Sequence, residues 1–317
     1  MAAAGPWVPG LLTAVEVRLA EIGTAYGPRL AEHAGQTIAA GGKRLRPLLV
    51  LVAAGSEPVE PAGLVRAGVA VELVHSATLV HDDVLDAAPL RRARPTVWAS
   101  AGRGAATAAG DLLFAAAFSE LARSGSPEAV RALSRAGSAL ATGELLQRAD
   151  AWRVDVPLER YLHRCELKTA RLFEAACTLG VLGAGGSAAE AAALAAFGRR
   201  VGLAFQLLDD VLDVSGPAER TGKHRGTDLL DGTVTLPLIL ARARSASLAA
   251  VDLRGVRTPQ QAELLCDQIA ATGALQASRE RALAVVDEAK AGLPDGGPPA
   301  QRRALALIAD SVVARYS

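Results

Sequence analysis

The stretch Leu73–Asp86, LVHSATLVHDDVLD, ends a nearly uncharged run on a cluster of carboxylates. Its letters DDVLD, residues 82–86, return at residues 209–213, again after an apolar run. On a helix, positions i, i+1 and i+4 fall within an arc of about 100°. Each copy is therefore predicted to gather three carboxylates on one face of a helix.

Carboxylates this close repel one another, and apolar surroundings strengthen the repulsion. Cations must neutralise them, and hard oxygen ligands suit Mg²⁺. Two such faces opposite each other across a cavity would hold Mg²⁺-bound phosphate. The alternative, a solvated acidic patch, explains one motif better than two identical copies with the same apolar lead-in. The predicted metal ligands are Asp82, Asp83, Asp86, Asp209, Asp210 and Asp213.

The composition allows a large core but gives no strong overall field. Half of the 317 residues are hydrophobic, and 34 basic against 33 acidic residues leave a net charge of +1. This balance argues against nucleic acid or an anionic membrane as a partner. The three scattered cysteines fit a reducing cytoplasm. We expect no signal peptide and no transmembrane segment, since the longest charge-free apolar stretch, 175–189, is too short.

Apolar residues recur at helical spacing, while alternation at every second residue is nearly absent. Abundant Ala and Leu favour helix, so the sequence predicts one all-α domain, 1–317, of ten or more helices and no convincing strand. Two predicted helices, 64–86 and 194–213, carry the acidic motifs. Predicted helix starts are Ser126-Pro127 and Thr258-Pro259, predicted helix ends are Gly180 and Gly273, and predicted loops are 216–233 and 292–299.

Two basic clusters match the acidic ones. In GGKRLRP, residues 41–47, three cations follow two glycines and predict an anion cradle, the alternative being a basic helix start at the surface. In RRARPT, residues 91–96, the arginines either pair with the acidic face or grip a diphosphate. His75 lies in helical phase with Asp82, either as a structural residue or as a ligand.

Taken in order, these motifs resemble the trans-prenyl diphosphate synthase (polyprenyl synthetase) family from about residue 41 to 317. The motifs are GGKRLRP, ELVHSATLVHDDVLD, LRRARPT, GD (110–111), GELLQ (143–147), KTA (168–170), AFQLLDDVLD, GK (222–223), TDLLDG and TLP (235–237). The resemblance implies an isoprenoid-synthase-type helical bundle around a deep central cavity. It implies a homodimer that uses about three Mg²⁺ ions to condense isopentenyl diphosphate with an allylic prenyl diphosphate, and the cysteine usage places it in the cytoplasm.

The resemblance also assigns roles. Direct metal ligands would be Asp82, Asp86 and Asp209, which with Lys168 are the expected catalytic residues, while Asp83, Asp210 and Asp213 would support them or bind through water. The isopentenyl diphosphate site would comprise Lys43, Arg46, His75 and Arg92, and the allylic site Arg91, Lys168, Thr169, Gln206 and Lys223. Two residues depart from the family pattern: Ala93 replaces a glycine, and Thr233 replaces a lysine, which puts one allylic-phosphate contact in doubt.

By the same resemblance, chain length is set at Thr78 and Ala77, four and five residues before Asp82. Both are small, which favours a long product of about C30 to C40. Phe114 and Phe118 could instead form a floor that stops growth near C20, as in a geranylgeranyl or farnesyl diphosphate synthase. Three other classes remain open. A terpene cyclase would not need GGKRLRP, a non-catalytic partner subunit often loses one acidic motif, and a metal-buffering protein leaves the arginines unexplained.

Overall fold

A computed structural model describes residues 5–39, 42, 44–58, 60–91, 94–216 and 224–314, with only the backbone described at 28–31, 34 and 39. The described chain is almost entirely helical, which confirms the all-α prediction. Its helices are α1 (Val8–Thr24), α2 (Pro28–Ala39), α3 (Leu45–Ala53), α4 (Pro61–Leu85), α5 (Val97–Ala122), α6 (Pro127–Asp150), α7 (Leu158–Cys165), α8 (Arg171–Gly183), α9 (Ala188–Ser215), α10 (Thr227–Leu230), α11 (Leu236–Arg244), α12 (Ala246–Ala249), α13 (Pro259–Ala271), α14 (Ala274–Ala291) and α15 (Pro299–Ala314).

Four short elements complete the described fold. A π-helix, Glu166–Ala170, joins α7 to α8, and a 3₁₀ turn covers Leu253–Gly255. Strands β1 (Leu90–Arg91) and β2 (Arg94–Pro95) pair antiparallel. The prediction of no convincing strand is wrong for this ladder, because two-residue strands are too short to show any alternation in the sequence.

The chain divides into two compact units. The first comprises residues 1–138, 172–198 and 292–308, and the second residues 139–171, 199–291 and 309–317. The first acidic motif lies in the first unit and the second motif in the second. A single domain, and a central cavity between the motifs, stay predictions.

Helix α4 forms the core of the first unit, where it packs most extensively against α5. Apolar residues occur all round α4, and its middle is continuously buried from Ala67 to Val74. A helix that is apolar on every side belongs inside a protein or a membrane. By length and composition alone, α4, α5 and α9 could each cross a membrane, although 67% of the most apolar α4 window is buried inside the protein.

Local capping chemistry sets several helix ends as predicted. Thr258 and Gln261 form a reciprocal capping box before α13, with Pro259 at the first helical position. Ser126 accepts a hydrogen bond from the backbone N–H of Ala129 at the start of α6. Gly273, with φ 73°, follows the end of α13. These three predictions are confirmed.

The prediction that Gly180 ends a helix is wrong. Gly180 lies inside α8, where a Cβ would stand 2.2 Å from the carbonyl oxygen of Val50 and 2.8 Å from the Cβ of Ala53 on α3. The glycine is there because α3 and α8 approach too closely for any side chain. Glycine is favoured both at helix ends and where two helices approach closely, so the sequence does not distinguish the two cases.

Replacing Gly180 by alanine is therefore expected to destabilise the protein by about 1–3 kcal/mol, as overpacking does in well-packed cores. The matched control is Gly10→Ala in α1, where an added Cβ meets nothing within 4 Å. There, removing a helical glycine should raise the free energy of unfolding by up to about 1 kcal/mol. Urea titration followed by circular dichroism measures both changes. Equal effects in the two variants would contradict the close packing of α3 and α8.

Candidate active site

Both acidic motifs occupy the last turns of long helices. Asp86 is the residue that caps the C-terminal end of α4, and α9 ends two residues after Asp213. Neither helix has a basic residue in its last turn. The C-terminal end of a helix carries partial negative charge, so carboxylates there are doubly unfavourable. Such an arrangement calls for cations from outside the helix.

The three aspartates of the first motif differ in their exposure to solvent. Asp83 is only 5% exposed, and its Oδ1 accepts a hydrogen bond from Nε of Arg91 at 2.8 Å. Asp82 is half-buried and Asp86 is exposed. The structure thus shows Arg91 in the ion pair that the sequence analysis held as one alternative. Asp83 is thus the buried, ion-paired member of the motif.

The turn after α4 is held by Thr96, which sequence reasoning did not single out. The Thr96 hydroxyl donates to the carbonyl of Ala88 at 2.6 Å and accepts from the N–H of Ala99, capping α5. Together with the β1–β2 ladder, this cap fixes the segment that carries Arg91. The sequence carries a signal for this cap, because Thr96, the last residue of RRARPT, directly precedes a helix and threonine is a favoured N-cap residue.

The second motif repeats the same pattern. Asp210 is 4% exposed and accepts two hydrogen bonds, from the Tyr161 hydroxyl at 2.5 Å and from Nε2 of Gln206 at 2.8 Å. Asp209 is exposed, and Asp213 is half-buried and accepts a bond from the N–H of Asp228 at 3.3 Å. Burial raises the pKa of Asp210 to about 6, against the hydrogen bonds from Tyr161 and Gln206, which lower it.

Lys168 and Thr169 lie in the π-helix between α7 and α8. Nζ of Lys168 contacts Oε2 of Glu144 at 2.5 Å, and the Thr169 hydroxyl donates to Oε1 of Gln206 at 2.6 Å. Burial opposes ionisation of Glu144, but Lys168 and Arg148 outweigh it and hold the pKa of that carboxyl below its usual value. Short π-helical turns are frequent at functional sites because they redirect side chains.

The GGKRLRP segment uses its cations for different purposes. Arg44 is buried, in a left-handed backbone conformation with φ 46°, and forms ion pairs of 2.6 Å with Glu16 and with Glu72. The prediction that all three cations belong to a cradle for a bound anion is therefore wrong for Arg44, because its guanidinium is paired with two carboxylates of the protein. Arg46 lies with its guanidinium carbon 4.6 Å from the ring centre of Phe173.

The other predicted site residues fall into two groups. Lys43, Arg92 and Lys223, together with Ala93, lie outside the described residues. The described ones lie on two helices of the first unit. On α4, Ala77 is fully buried, His75 is half-buried, and the His75 carbonyl accepts the Thr78 hydroxyl at 2.8 Å. On α5, Phe114 and Phe118 are half-buried one turn apart.

The donors that the two acidic motifs offer are carboxylate oxygens, a kind of ligand that Mg²⁺ accepts. Within the described ranges, no three His, Cys, Asp or Glu side chains are arranged to hold an ion by themselves. The accessible donors of each motif are carboxylate oxygens, Asp82 with Asp86 and Asp209 with Asp213. Mg²⁺ is commonly bound through one or two carboxylates and completed by water and substrate phosphates. The residues present therefore fit this ion.

Comparison with known proteins decides the family. The polyprenyl synthetase family matches residues 28–266. The chain belongs to the polyprenyl synthetase family. It is 42% identical over 248 residues, 78% of this chain and 77% of the relative, to heptaprenyl diphosphate synthase component 2 of Geobacillus stearothermophilus. It is 34% identical over 282 residues to the octaprenyl diphosphate synthase of Escherichia coli, covering 88% and 87% of the two chains.

The fold agrees with solved members of the family. The crystal structure of polyprenyl synthase from Caulobacter crescentus CB15, complexed with calcium and isoprenyl diphosphate, superposes with a TM-score of 0.93 at 34% identity, covering 100% of this chain and 98% of the other. Other relatives are named as geranylgeranyl and farnesyl diphosphate synthases. The resemblance seen in the sequence is thus confirmed, and the chain is an enzyme that transfers prenyl groups.

Proposed function

We propose that this member of the polyprenyl synthetase family condenses isopentenyl diphosphate with an allylic prenyl diphosphate, with Mg²⁺ bound, to make a longer all-trans polyprenyl diphosphate. The observation that carries the proposal is the repeated arrangement of the two acidic motifs. In both, the second aspartate is buried and hydrogen-bonded while the first stays accessible to solvent. Two accessible carboxylate clusters of the same design suit a substrate that arrives with several divalent ions.

The metal ligands in this proposal are Asp82, Asp86 and Asp209, supported by Asp83, Asp210 and Asp213, with about three ions in total. Bound Mg²⁺ supplies Lewis-acid stabilisation of the diphosphate as it leaves. The buried aspartates keep the accessible ones in place. Arg91 offsets the charge of Asp83 without using the accessible face of the motif.

The proposed substrate-binding residues form two groups, one for each diphosphate. Lys43, Arg46, His75 and Arg92 are proposed to bind isopentenyl diphosphate, and Arg91, Lys168, Thr169, Gln206 and Lys223 the allylic diphosphate. Packing of Arg46 on Phe173 limits the directions in which its guanidinium can point. The Glu144 carboxylate holds the Lys168 ammonium in place before substrate binds. Preorganised charges of this kind stabilise a leaving diphosphate without reorganisation during the reaction.

The reaction breaks one C–O and one C–H bond, and it forms one C–C and one O–H bond. The allylic C–O bond breaks, and the bonding electrons leave with the diphosphate as an allylic cation forms. The double bond of isopentenyl diphosphate attacks that cation and makes the new C–C bond. A proton is then lost, which restores a double bond, and the departed diphosphate is the proposed acceptor. The charged groups assist the first of these steps, and the apolar surroundings protect the cation from water.

Incubation with labelled substrate tests the proposal directly. The purified protein is given Mg²⁺, radiolabelled isopentenyl diphosphate and, in turn, dimethylallyl, geranyl, farnesyl or geranylgeranyl diphosphate, and the dephosphorylated products are sized. We expect labelled prenyl alcohols longer than the starter. Cyclic hydrocarbons formed without isopentenyl diphosphate would indicate a terpene cyclase. No product from any starter would indicate a non-catalytic subunit.

For the product we propose about C30 to C40, with a C20 product as the alternative. The small side chains of Ala77 and Thr78 favour the longer chain, while Phe114 and Phe118 favour the shorter. Among the relatives, a heptaprenyl and an octaprenyl diphosphate synthase are 42% and 34% identical to the chain, and a geranylgeranyl and a farnesyl diphosphate synthase are 35% and 42% identical. Identity of this order does not separate the two lengths.

Replacing Ala77 by phenylalanine is expected to shorten the product by at least one isoprene unit, because the ring would block the proposed tunnel. Product sizing as above measures the change. Ala106→Phe, at another fully buried alanine but on α5, serves as the overpacking control and should not shorten the product. Thermal melting of both variants separates blocked growth from loss of fold. An unchanged product distribution in a folded Ala77→Phe protein would remove Ala77 from the tunnel.

We also propose a cytoplasmic homodimer with no nucleic-acid partner. Exposed alanines recur every seven residues at positions 108, 115 and 122, on the part of α5 that follows the non-helical Gly102, and this face suits close approach of a second apolar helix. A relative named as component 2 of its enzyme raises the alternative of a heteromer. Light scattering on the purified chain distinguishes them, since the homodimer has twice the mass of the 32.5 kDa chain.

A further inference from the structure

We propose that Tyr161 is a positioning residue for the second acidic motif, fixing Asp210 and thereby the affinity of the motif for divalent metal. The inference rests on the proposed function, because it concerns how the metal ligands of that function are held. The Tyr161 side chain is fully buried, and its hydroxyl donates to Oδ2 of Asp210 at 2.5 Å. Tyr161 cannot itself meet substrate from this position.

A second chain of hydrogen bonds reaches Asp210 from the other side. The Thr169 hydroxyl donates to Oε1 of Gln206 at 2.6 Å, so the Gln206 amide must present its NH₂ group to Asp210. That group donates to Oδ1 of Asp210 at 2.8 Å. Both carboxylate oxygens of Asp210 are therefore occupied, and the KTA motif is linked to the second acidic motif through two bonds.

Tyr161 is itself held by a buried arginine. The guanidinium carbon of Arg164 lies 5.4 Å from the centre of the Tyr161 ring, and its Nη2 donates to the carbonyl of Val234 at 2.6 Å. Arg164 is 3% exposed, which leaves it little freedom to move. The Tyr161 hydroxyl thus lies among buried partners, where it donates to Asp210 and has the Cys165 thiol as a second neighbour.

The consequence for metal binding follows from the neighbouring ligands. Asp209 precedes Asp210 in α9, and Asp213 follows one turn later. A buried carboxylate that loses one of its hydrogen bonds is strongly driven to find another partner or water. Asp210 would then turn from its buried position and disturb the last turns of α9. Outer partners of metal ligands commonly change metal affinity by about 10–100-fold.

The test uses Tyr161→Phe, which removes only the hydroxyl. Mn²⁺ binding in the presence of inorganic diphosphate, measured by electron paramagnetic resonance, is expected to weaken by about 10–100-fold. The Mg²⁺ concentration for half-maximal activity should rise by a similar factor, while KM for isopentenyl diphosphate changes by less than about twofold. The control is Tyr26→Phe, the same change at a residue that is 42% exposed in the first unit, with Mn²⁺ binding expected as in the wild type.

A double-mutant comparison tests whether Tyr161 acts through Asp210. In Asp210→Asn protein, adding Tyr161→Phe should weaken Mn²⁺ binding by no more than about a further twofold. Full additivity, or Mn²⁺ affinity at the wild-type level in Tyr161→Phe alone, would overturn the inference. If Tyr161→Phe fails to fold, Gln206→Met removes the other bond to Asp210, and Mn²⁺ binding measured without diphosphate should weaken in the same direction; unchanged affinity there would also overturn the inference.

The outcome can be separated from the fate of the proposed function. Mn²⁺ and inorganic diphosphate binding needs no turnover, so it tests Tyr161 even if no condensation occurs. A wild-type protein that elongates allylic diphosphates, beside a Tyr161→Phe variant with unchanged Mn²⁺ affinity, would contradict only the inference on Tyr161.

Discussion

Replacing Asp82 by asparagine is expected to slow condensation by about 10²–10³-fold at saturating Mg²⁺ and substrates, the usual cost of losing one electrostatic contributor to a leaving group. Asp82 lies in the last turn of α4 and is half-buried, and that last turn contains no basic residue. The amide keeps the shape of the side chain but loses the charge. Initial rates with labelled isopentenyl diphosphate measure the loss.

The same substitution should leave stability unchanged or slightly raised, because it removes a negative charge from the C-terminal end of a helix. A thermal melt checks this sign. Asp155→Asn, at an aspartate whose side chain is 72% exposed, is the matched control and should keep wild-type activity. If Asp82→Asn retained more than about a tenth of the wild-type rate while melting normally, Asp82 would not be a metal ligand.

Much of the fold could be predicted because its signals are local. The Thr258–Gln261 capping box and the glycine after α13 depend only on a few neighbouring residues, so both can be predicted from the sequence. The long helices that carry the acidic motifs follow from apolar spacing over many turns. The ends of α4 were predicted within three residues, whereas α9 begins at Ala188, six residues before its predicted start at 194.

The errors arose where distant residues decide the structure. Gly180 has the appearance of a helix end, but its role is set by Val50 on another helix. Arg44 has the appearance of a phosphate ligand, but its role is set by Glu16 and Glu72, 28 residues away on either side. No local pattern distinguishes these possibilities, because glycine and arginine serve both purposes.

The candidate site shows the same division. Its aspartates could be found because the motif occurs twice, and repetition is visible in a sequence. Glu144 belongs to the GELLQ motif, but nothing in the sequence marks it as the partner of Lys168. Tyr161 was not predicted as a site residue, although it lies seven residues, about two helical turns, before Lys168. Their partners are distant in sequence, so their importance emerges only when α6, α7 and α9 are placed together in the second unit.

Asp209→Asn should be as damaging as Asp82→Asn, with a loss of about 10²–10³-fold in kcat, since Asp209 is the accessible first aspartate of the second motif. The more informative variant carries both substitutions. If both motifs act on the same leaving diphosphate, the first substitution already removes most of what the second can remove. The double variant should then lose far less than the product of the single losses, as in other catalytic groups that act as a unit. Single-turnover rates on the two single variants and the double variant give the coupling. Strictly multiplicative losses would mean that the two motifs act independently, and the prediction that they grip one diphosphate would be wrong.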